Sequence, residues 1–150
     1  MYRHILIPTD GSELAEHGVA QGVALAKFLG AKVTVMIVEE PVPTGWWSVA
    51  QNRLADVADI TAKYDEEIKK HSATVLDRAA NAAKQAGVPC DTTQVKGVQP
   101  YQAIIKTAED RGCDLIVMAS HGRSGLSAVI LGSVTNKVLT HTKTPVLVCQ

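Results

Sequence analysis

Gly122 and the pair Gly132-Ser133 are separated by nine residues in the stretch ASHGRSGLSAVILGSVTNKVL, and that pattern suits an anion. Gly122 can turn its N–H toward a ligand, or admit an anion closely, because no Cβ stands in the way. Gly132-Ser133 opens a helical pattern, and the unpaired N–H groups and positive dipole end of a helix attract negative charge. The Ser133 hydroxyl adds a donor and Arg123 a cation, so phosphate is the group that both ends of this loop would serve. His121 can donate to phosphate or simply be solvated. The Walker pattern GxxxxGK[ST] is absent, and no GxGxxG follows the first strand, so neither a P-loop nor a dinucleotide fold of the usual kind is indicated. On these residues alone, an ordinary strand-to-helix loop with a serine cap explains the glycines equally well.

A phosphate cradle needs a scaffold, and the chain spells one. Segments rich in β-branched residues alternate with longer helical patterns, which marks βαβ units and a parallel sheet. Five strands are predicted: Arg3 to Thr9, Lys32 to Val38, Asp91 to Lys96, Asp114 to Met118 and Pro145 to Cys149. Four of them read as nearly continuous apolar runs, as expected of strands covered on both faces, whereas DTTQVK is polar and belongs at an edge. Gly30, Gly87 and Gly112 each follow a helical stretch and suit the left-handed position that ends a helix. Ser12 caps a helix running to about Leu29, and Pro100 opens one running to about Arg111. The longest helix carries Leu54, Val57, Ile60, Tyr64, Ile68, Val75, Ala79, Ala82 and Ala86 at helical spacing, with one gap after Ile68. Its polar run KYDEEIKKH reads as a solvated face with Glu66 and Lys70 paired.

The right-handed crossover rule and a polar third strand give one domain, residues 1–150: an open parallel five-stranded α/β sheet, order 3-2-1-4-5, with helices on both faces. Winding then reverses between strands one and four, so a crevice opens at their carboxyl ends. Pro8-Thr9-Asp10 and Ala119 through Gly122 stand at those ends.

The chain as a whole resembles the universal stress protein family over essentially all 150 residues. ILIPTDGS matches that family's first-strand motif, HGRSGLSAVILGSVTNKVL its nucleotide loop and helix, and TPVLVC its last strand. Nucleotide-binding members carry G-x-x-G, nine residues, then G-[S/T]; the matching segment here reads ASHG, nine residues, GS, with Ala119 replacing the first glycine. The resemblance implies a Rossmann-like fold akin to the adenine nucleotide alpha hydrolases, and binding of ATP, ADP or AMP, with Mg²⁺ held through the phosphates where present. Carried onto matching positions, it implies that Asp10 accepts hydrogen bonds from ribose or adenine, beside a wall shaped by Pro8 and Thr9. Val38 would offer its backbone to the adenine edge, and Met118 and Ala119 would flank base and ribose. His121, Gly122, Arg123, Ser124, Gly125, Gly132, Ser133, Val134 and Thr135 would wrap the triphosphate. An added methyl at position 119 would be a small steric change that leaves the N–H in place. The resemblance also implies a homodimer paired through the last strand, Pro145 to Cys149, an apolar edge that needs covering.

The remaining features bound the function. Fifteen basic residues balance fifteen acidic ones, so no general field favours nucleic acid or an anionic membrane. The odd, widely spaced Cys90, Cys113 and Cys149 suit reduced thiols in a cytoplasm, and no secretory or membrane-spanning signal is seen. His4, His17, His71 and His141 share no metal-ligand spacing. No nucleophile–base or paired-carboxylate arrangement declares itself near the loop, so a binding module with an unidentified protein partner is expected rather than an enzyme. Slow ATP hydrolysis or self-phosphorylation would be its only chemistry. Two alternatives stand beside it: an interaction dimer that binds no nucleotide, which Ala119 favours, and an AMP-forming pyrophosphatase-like enzyme, for which PTDGSELAE supplies no convincing phosphate loop. Trp46 and Trp47 would lid the base, contact a partner or fold over the long helix. Gly132→Val is expected to abolish nucleotide binding with the fold intact.

Overall fold

The structure is a computed structural model and describes residues 1–40, 54–97, 99–121 and 131–150. Its elements run β1 (His4–Thr9), α1 (Glu13–Leu29), β2 (Lys32–Glu39), α2 (Leu54–Ala86), β3 (Cys90–Lys96), α3 (Pro100–Asp110), β4 (Leu115–Ala119), α4 (Ser133–His141) and β5 (Val146–Cys149). The strands form one parallel sheet in the order β3-β2-β1-β4-β5, as expected. Ends differ from the expectation by a residue or so, with a physical reason at β1. There the N–H groups of Arg3 and His4 donate to the Asp114 carboxylate at 2.9 and 3.0 Å.

Successive strand residues face opposite sides, so each inner strand feeds two cores. Ile5, Ile7, Val33, Val35, Ile37, Leu115 and Val117 pack against Val19, Val23 and Ala26 of α1 and Val75, Leu76, Ala79 and Ala83 of α2. Leu6, Met36, Ile116 and Met118 pack on the other face against Ile104 and Ala108 of α3 and Val138 of α4. Burial of a residue such as Ile5 or Leu6 is worth about 1.5–3 kcal/mol, which fixes the strand register and hence the position of everything at the strand ends.

The helix boundaries follow their sequence signals. Ser12 caps α1 by accepting from the Ala15 N–H at 3.3 Å, and Gly30, Gly87 and Gly112 all have positive φ. Three expectations need correction. Ala82 is exposed and Ala83 takes its inward place; the gap between Ile68 and Val75 is filled by Ser72, 2% exposed, and Leu76 joins the inward face beside Val75. Tyr64 keeps 45% of its surface exposed and so lies at the margin of the inward stripe. β5 is not covered on both faces within one chain: its residues are half-buried and Leu147 is 43% exposed, because it lies at the sheet edge where the helices packed on the faces reach it least. The side chains of Leu54, Val57 and Ile60 lie outside the described residues.

Candidate functional site

The sheet comes apart where the winding reverses. β1 pairs with β2 as far as Thr9↔Ile37, and β4 with β5 as far as Ala119↔Cys149. Between β1 and β4 the register holds only Ile5↔Leu115 and Leu6↔Ile116, so their carboxyl ends part. On one side α1 closes in on that split through two glycines. A Cβ on Gly22 would lie 2.5 Å from Ile7 Cδ1, and one on Gly18 would lie 3.3 Å from the Ala119 nitrogen. On the other side the start of α4 is tied to β4: the Gly132 N–H donates to the Ser120 carbonyl at 2.8 Å, and the Thr135 hydroxyl donates to the Ala119 carbonyl at 3.0 Å. A Cβ on Gly132 would stand 3.0 Å from the Ser120 oxygen, so the glycine here serves a backbone contact first.

The turn from β1 into α1 is built from its own side chains. Thr9 Oγ1 accepts from the Gly11 N–H at 3.2 Å, and Asp10 Oδ1 accepts from the Ser12 N–H at 3.0 Å. Gly11 is left-handed, φ +75°, and a Cβ there would meet Val75 Cγ2 of α2 at 2.7 Å, so both its backbone and its surroundings call for glycine. Asp10 thus braces the turn, while the side-chain cap of α1 belongs to Ser12.

Beside that turn opens a cavity of about 680 Å³, bounded by Asp10, Gly11 and Ser12, by Ile37 to Glu40 at the end of β2, and by Tyr64, Glu67, Ile68, His71 and Ser72 of α2. A volume of this order suits a small organic ligand. Of the residues singled out from sequence, Asp10 and Val38 line it. Pro8 and Thr9 stand one step behind, on β1. Met118 and Ala119 are both buried and face opposite sides of the sheet, Met118 toward α3 and α4, Ala119 toward Gly18 of α1. His121 Nδ1 lies 3.0 Å from Ser120 Oγ. The N–H groups of Ser133, Val134 and Thr135 precede the first backbone bond of α4, Asn136 N–H to the Gly132 carbonyl at 2.9 Å, and are the donors a helix start offers to an anion. Gly122, Arg123, Ser124, Gly125, Trp46 and Trp47 lie outside the described residues.

Sequence reasoning missed the wall supplied by α2, together with Glu39 and Glu40. The KYDEEIKKH run does hold the predicted pair, Lys70 Nζ to Glu66 Oε1 at 2.8 Å, on its outer side. Glu67 and His71, four residues apart in that same run, turn instead toward the cavity. The available signal was Ser72, a polar residue interrupting the apolar ladder one step from His71. Among the described residues no cluster of three potential metal ligands occurs, and no helix is long and apolar enough to cross a membrane.

The sequence profile of the universal stress protein family matches residues 1–150. The chain belongs to the universal stress protein family. It is 31% identical to universal stress protein MJ0577 of Methanocaldococcus jannaschii, over all of this chain and 96% of that one. A solved structure of MJ0577 superimposes with a TM-score of 0.79 at 28% identity, covering 99% and 95% of the two chains. Universal stress protein YxiE of Bacillus subtilis is 29% identical over the full length of both. A crystal structure of a universal stress protein in complex with cAMP shares the fold, with a TM-score of 0.69 at 24% identity over 99% of this chain and 97% of that one. The Rossmann-like architecture deduced from strand polarity is thus that of the universal stress proteins.

Proposed function

We propose that this universal stress protein binds an adenine nucleotide, ATP or its ADP or AMP relatives, across the carboxyl ends of β1, β2 and β4, and acts as a nucleotide-dependent binding module. The observations that carry the reading are the cavity beside the ends of β1 and β2, lined by Asp10 and Val38, and, across the β1/β4 parting, the donor-bearing start of α4 pinned to the end of β4. A nucleotide fits the donor set. Asp10 offers acceptors for ribose hydroxyls, Val38 offers backbone groups to a base edge, and Ser133, Val134 and Thr135 offer N–H groups to phosphate, with Mg²⁺ bridging phosphates where present. A universal stress protein of known structure binds cAMP, an adenine nucleotide, which supports the same ligand class here.

The role is binding and signalling rather than turnover, and it works by differential affinity: the nucleotide alters partner choice only in so far as it binds one loop arrangement better than another. The half-exposed β5 edge, with Leu147 open to solvent, supports a homodimer paired through that strand. Three unbridged thiols support a cytoplasmic setting.

The test is to denature freshly purified protein, identify and count any nucleotide released, and titrate ATP into the stripped protein calorimetrically. About one adenine nucleotide per chain, or saturable ATP binding, is the expected result. Neither release nor binding with Mg²⁺ present overturns the reading in favour of a nucleotide-free interaction dimer.

A further inference from the structure

The family resemblance counts Thr135 among the residues that wrap a triphosphate, yet its side chain is already engaged within the fold. It is 3% exposed, and its hydroxyl donates to the Ala119 carbonyl at 3.0 Å.

Strand geometry explains why that carbonyl is open to it. β4 lies between β1 and β5, and the Ser120 N–H donates to the Cys149 carbonyl of β5 at 2.7 Å. The N–H and C=O of one trans peptide point in opposite directions, so the Ala119 carbonyl points to the β1 side. β1 and β4 share register only as far as Leu6↔Ile116, so β1 no longer pairs with β4 at that level. A buried carbonyl without a donor costs free energy, and the Thr135 hydroxyl supplies the missing bond. One residue on, the Ser120 carbonyl accepts from the Gly132 N–H at 2.8 Å. Two consecutive carbonyls at the end of β4 thus hold the cap and the third residue of α4, and with them the N–H groups of Ser133, Val134 and Thr135. At nine residues, α4 is too short to be stable without such anchors.

We infer that Thr135 is a positioning residue: its hydroxyl, bonded to the carbonyl that the parting of β1 and β4 leaves unpaired, fixes the first turn of α4 where it can hold phosphate, while the side chain itself touches no ligand. This rests on the nucleotide-binding reading above and adds to it a residue and a cause for the place of the helix start.

The experiment is calorimetric titration of nucleotide-stripped protein with ATP and with adenosine, in the wild type, in Thr135→Val, which keeps the shape and loses the hydroxyl, and in Thr135→Ser, which keeps the hydroxyl. Without the bond, the ordered first turn is a smaller fraction of the unliganded protein, and apparent affinity falls by that fraction. Thr135→Val is expected to bind ATP roughly 2–10-fold more weakly, the range of one neutral hydrogen bond, and to bind adenosine as the wild type does. Thr135→Ser should stay close to the wild type for both ligands. Amide exchange reads the cause: the Asn136 N–H, which makes the first backbone bond of α4, should exchange faster in unliganded Thr135→Val and slow again with ATP. A Thr135→Val protein that melts cooperatively and keeps full ATP affinity overturns the inference and leaves nucleotide binding standing. An equal loss for ATP and adenosine does the same, as does a Thr135→Ser protein as weak as Thr135→Val. Should Thr135→Val not fold, Thr135→Ala, which loses the hydroxyl without filling its place, is read in the same way. If the wild type binds no ATP with Mg²⁺ present, the nucleotide reading falls and this inference falls with it.

Discussion

Ser133→Glu separates phosphate binding from folding more cleanly than any glycine substitution in the loop. Ser133 is the exposed first residue of α4, whose first turn holds no acidic side chain and whose N-cap, Gly132, makes no side-chain cap. A glutamate there meets the positive helix end and should stabilise the fold by about 0.3–1 kcal/mol. The same carboxylate would stand ~5 Å from a phosphate bound to the helix start. At that distance repulsion is on the order of 1–3 kcal/mol per unit charge, between the limits of water and a protein surface. ATP affinity should therefore fall roughly 5–150-fold, AMP affinity less, and adenosine affinity little, and the loss should shrink at high salt. Calorimetric titration of the three ligands at two ionic strengths, beside urea unfolding, reads each effect. A Ser133→Glu protein of undiminished stability and undiminished ATP affinity would remove the α4 start from the site. Gly132→Val, the substitution suggested by sequence, is a poorer probe. Even a Cβ at position 132 stands 3.0 Å from the Ser120 oxygen and 3.3 Å from His121 Cα, so lost binding would report a displaced backbone as readily as a blocked phosphate.

Three further outcomes follow from the packing and titration of the scaffold. Gly22→Ala gains about 0.5–1 kcal/mol of helix propensity but drives a methyl to 2.5 Å from Cδ1 of the fully buried Ile7. Overpacking of this kind costs about 1–3 kcal/mol, so urea unfolding should show a net loss of up to about 2.5 kcal/mol, and a gain would refute the close approach of α1. Burial, then the nearby Lys32 charge, lowers the pKa of His4 below the ordinary histidine value of 6.5. The unfolded chain therefore takes up the proton first, and stability is full above that value and lost as the pH falls through the lowered folded value. The urea midpoint should drop between pH 7.5 and 5.5 and stay flatter in His4→Gln; equal slopes would refute the assignment. Burial pushes the Cys113 thiol up to about 11, so with a disulfide reagent at pH 8 the native protein should protect Cys113 until it unfolds, as peptide mapping would show.

The frame was legible because each of its signals is local. Strands buried on both faces read as apolar runs, a polar DTTQVK declared its own edge position, and the three glycines at helix ends sit in the left-handed conformation their placement required. Of the candidate cavity, the part at the ends of β1 and β2 was legible, where Asp10 and Val38 fall by topology. Its α2 wall was not, because Glu67, Ile68, His71 and Ser72 meet Asp10 only once the crossover has laid a 33-residue helix over the strand ends. Glu39 was hidden for the same reason: in VEEP it reads as the start of a loop, and its burial is conferred by the elements around it. Ala82 and Ala83 carry no amphipathic contrast, so the pattern could not choose which faced inward.

Ala119 shows how a departure from a family motif is weighed by direction rather than by identity. Strand alternation sends its methyl to the α1 side, where it lies 3.7 Å from the place a Cβ on Gly18 would occupy. A side chain at 119 and one at 18 compete for one space, and here the bulk sits on the strand while the helix carries the glycine. The backbone of residue 119 is meanwhile held by its neighbours: its carbonyl accepts from the Thr135 hydroxyl, it pairs with Cys149, and the adjoining Ser120 N–H donates to the Cys149 carbonyl at 2.7 Å. Ala119 is absent from the cavity wall formed by the described residues. The methyl at 119 therefore packs toward α1 and not into the cavity wall. For the proposed nucleotide site, changes to the Asp10 carboxylate or to the start of α4 should alter affinity more than changes at position 119.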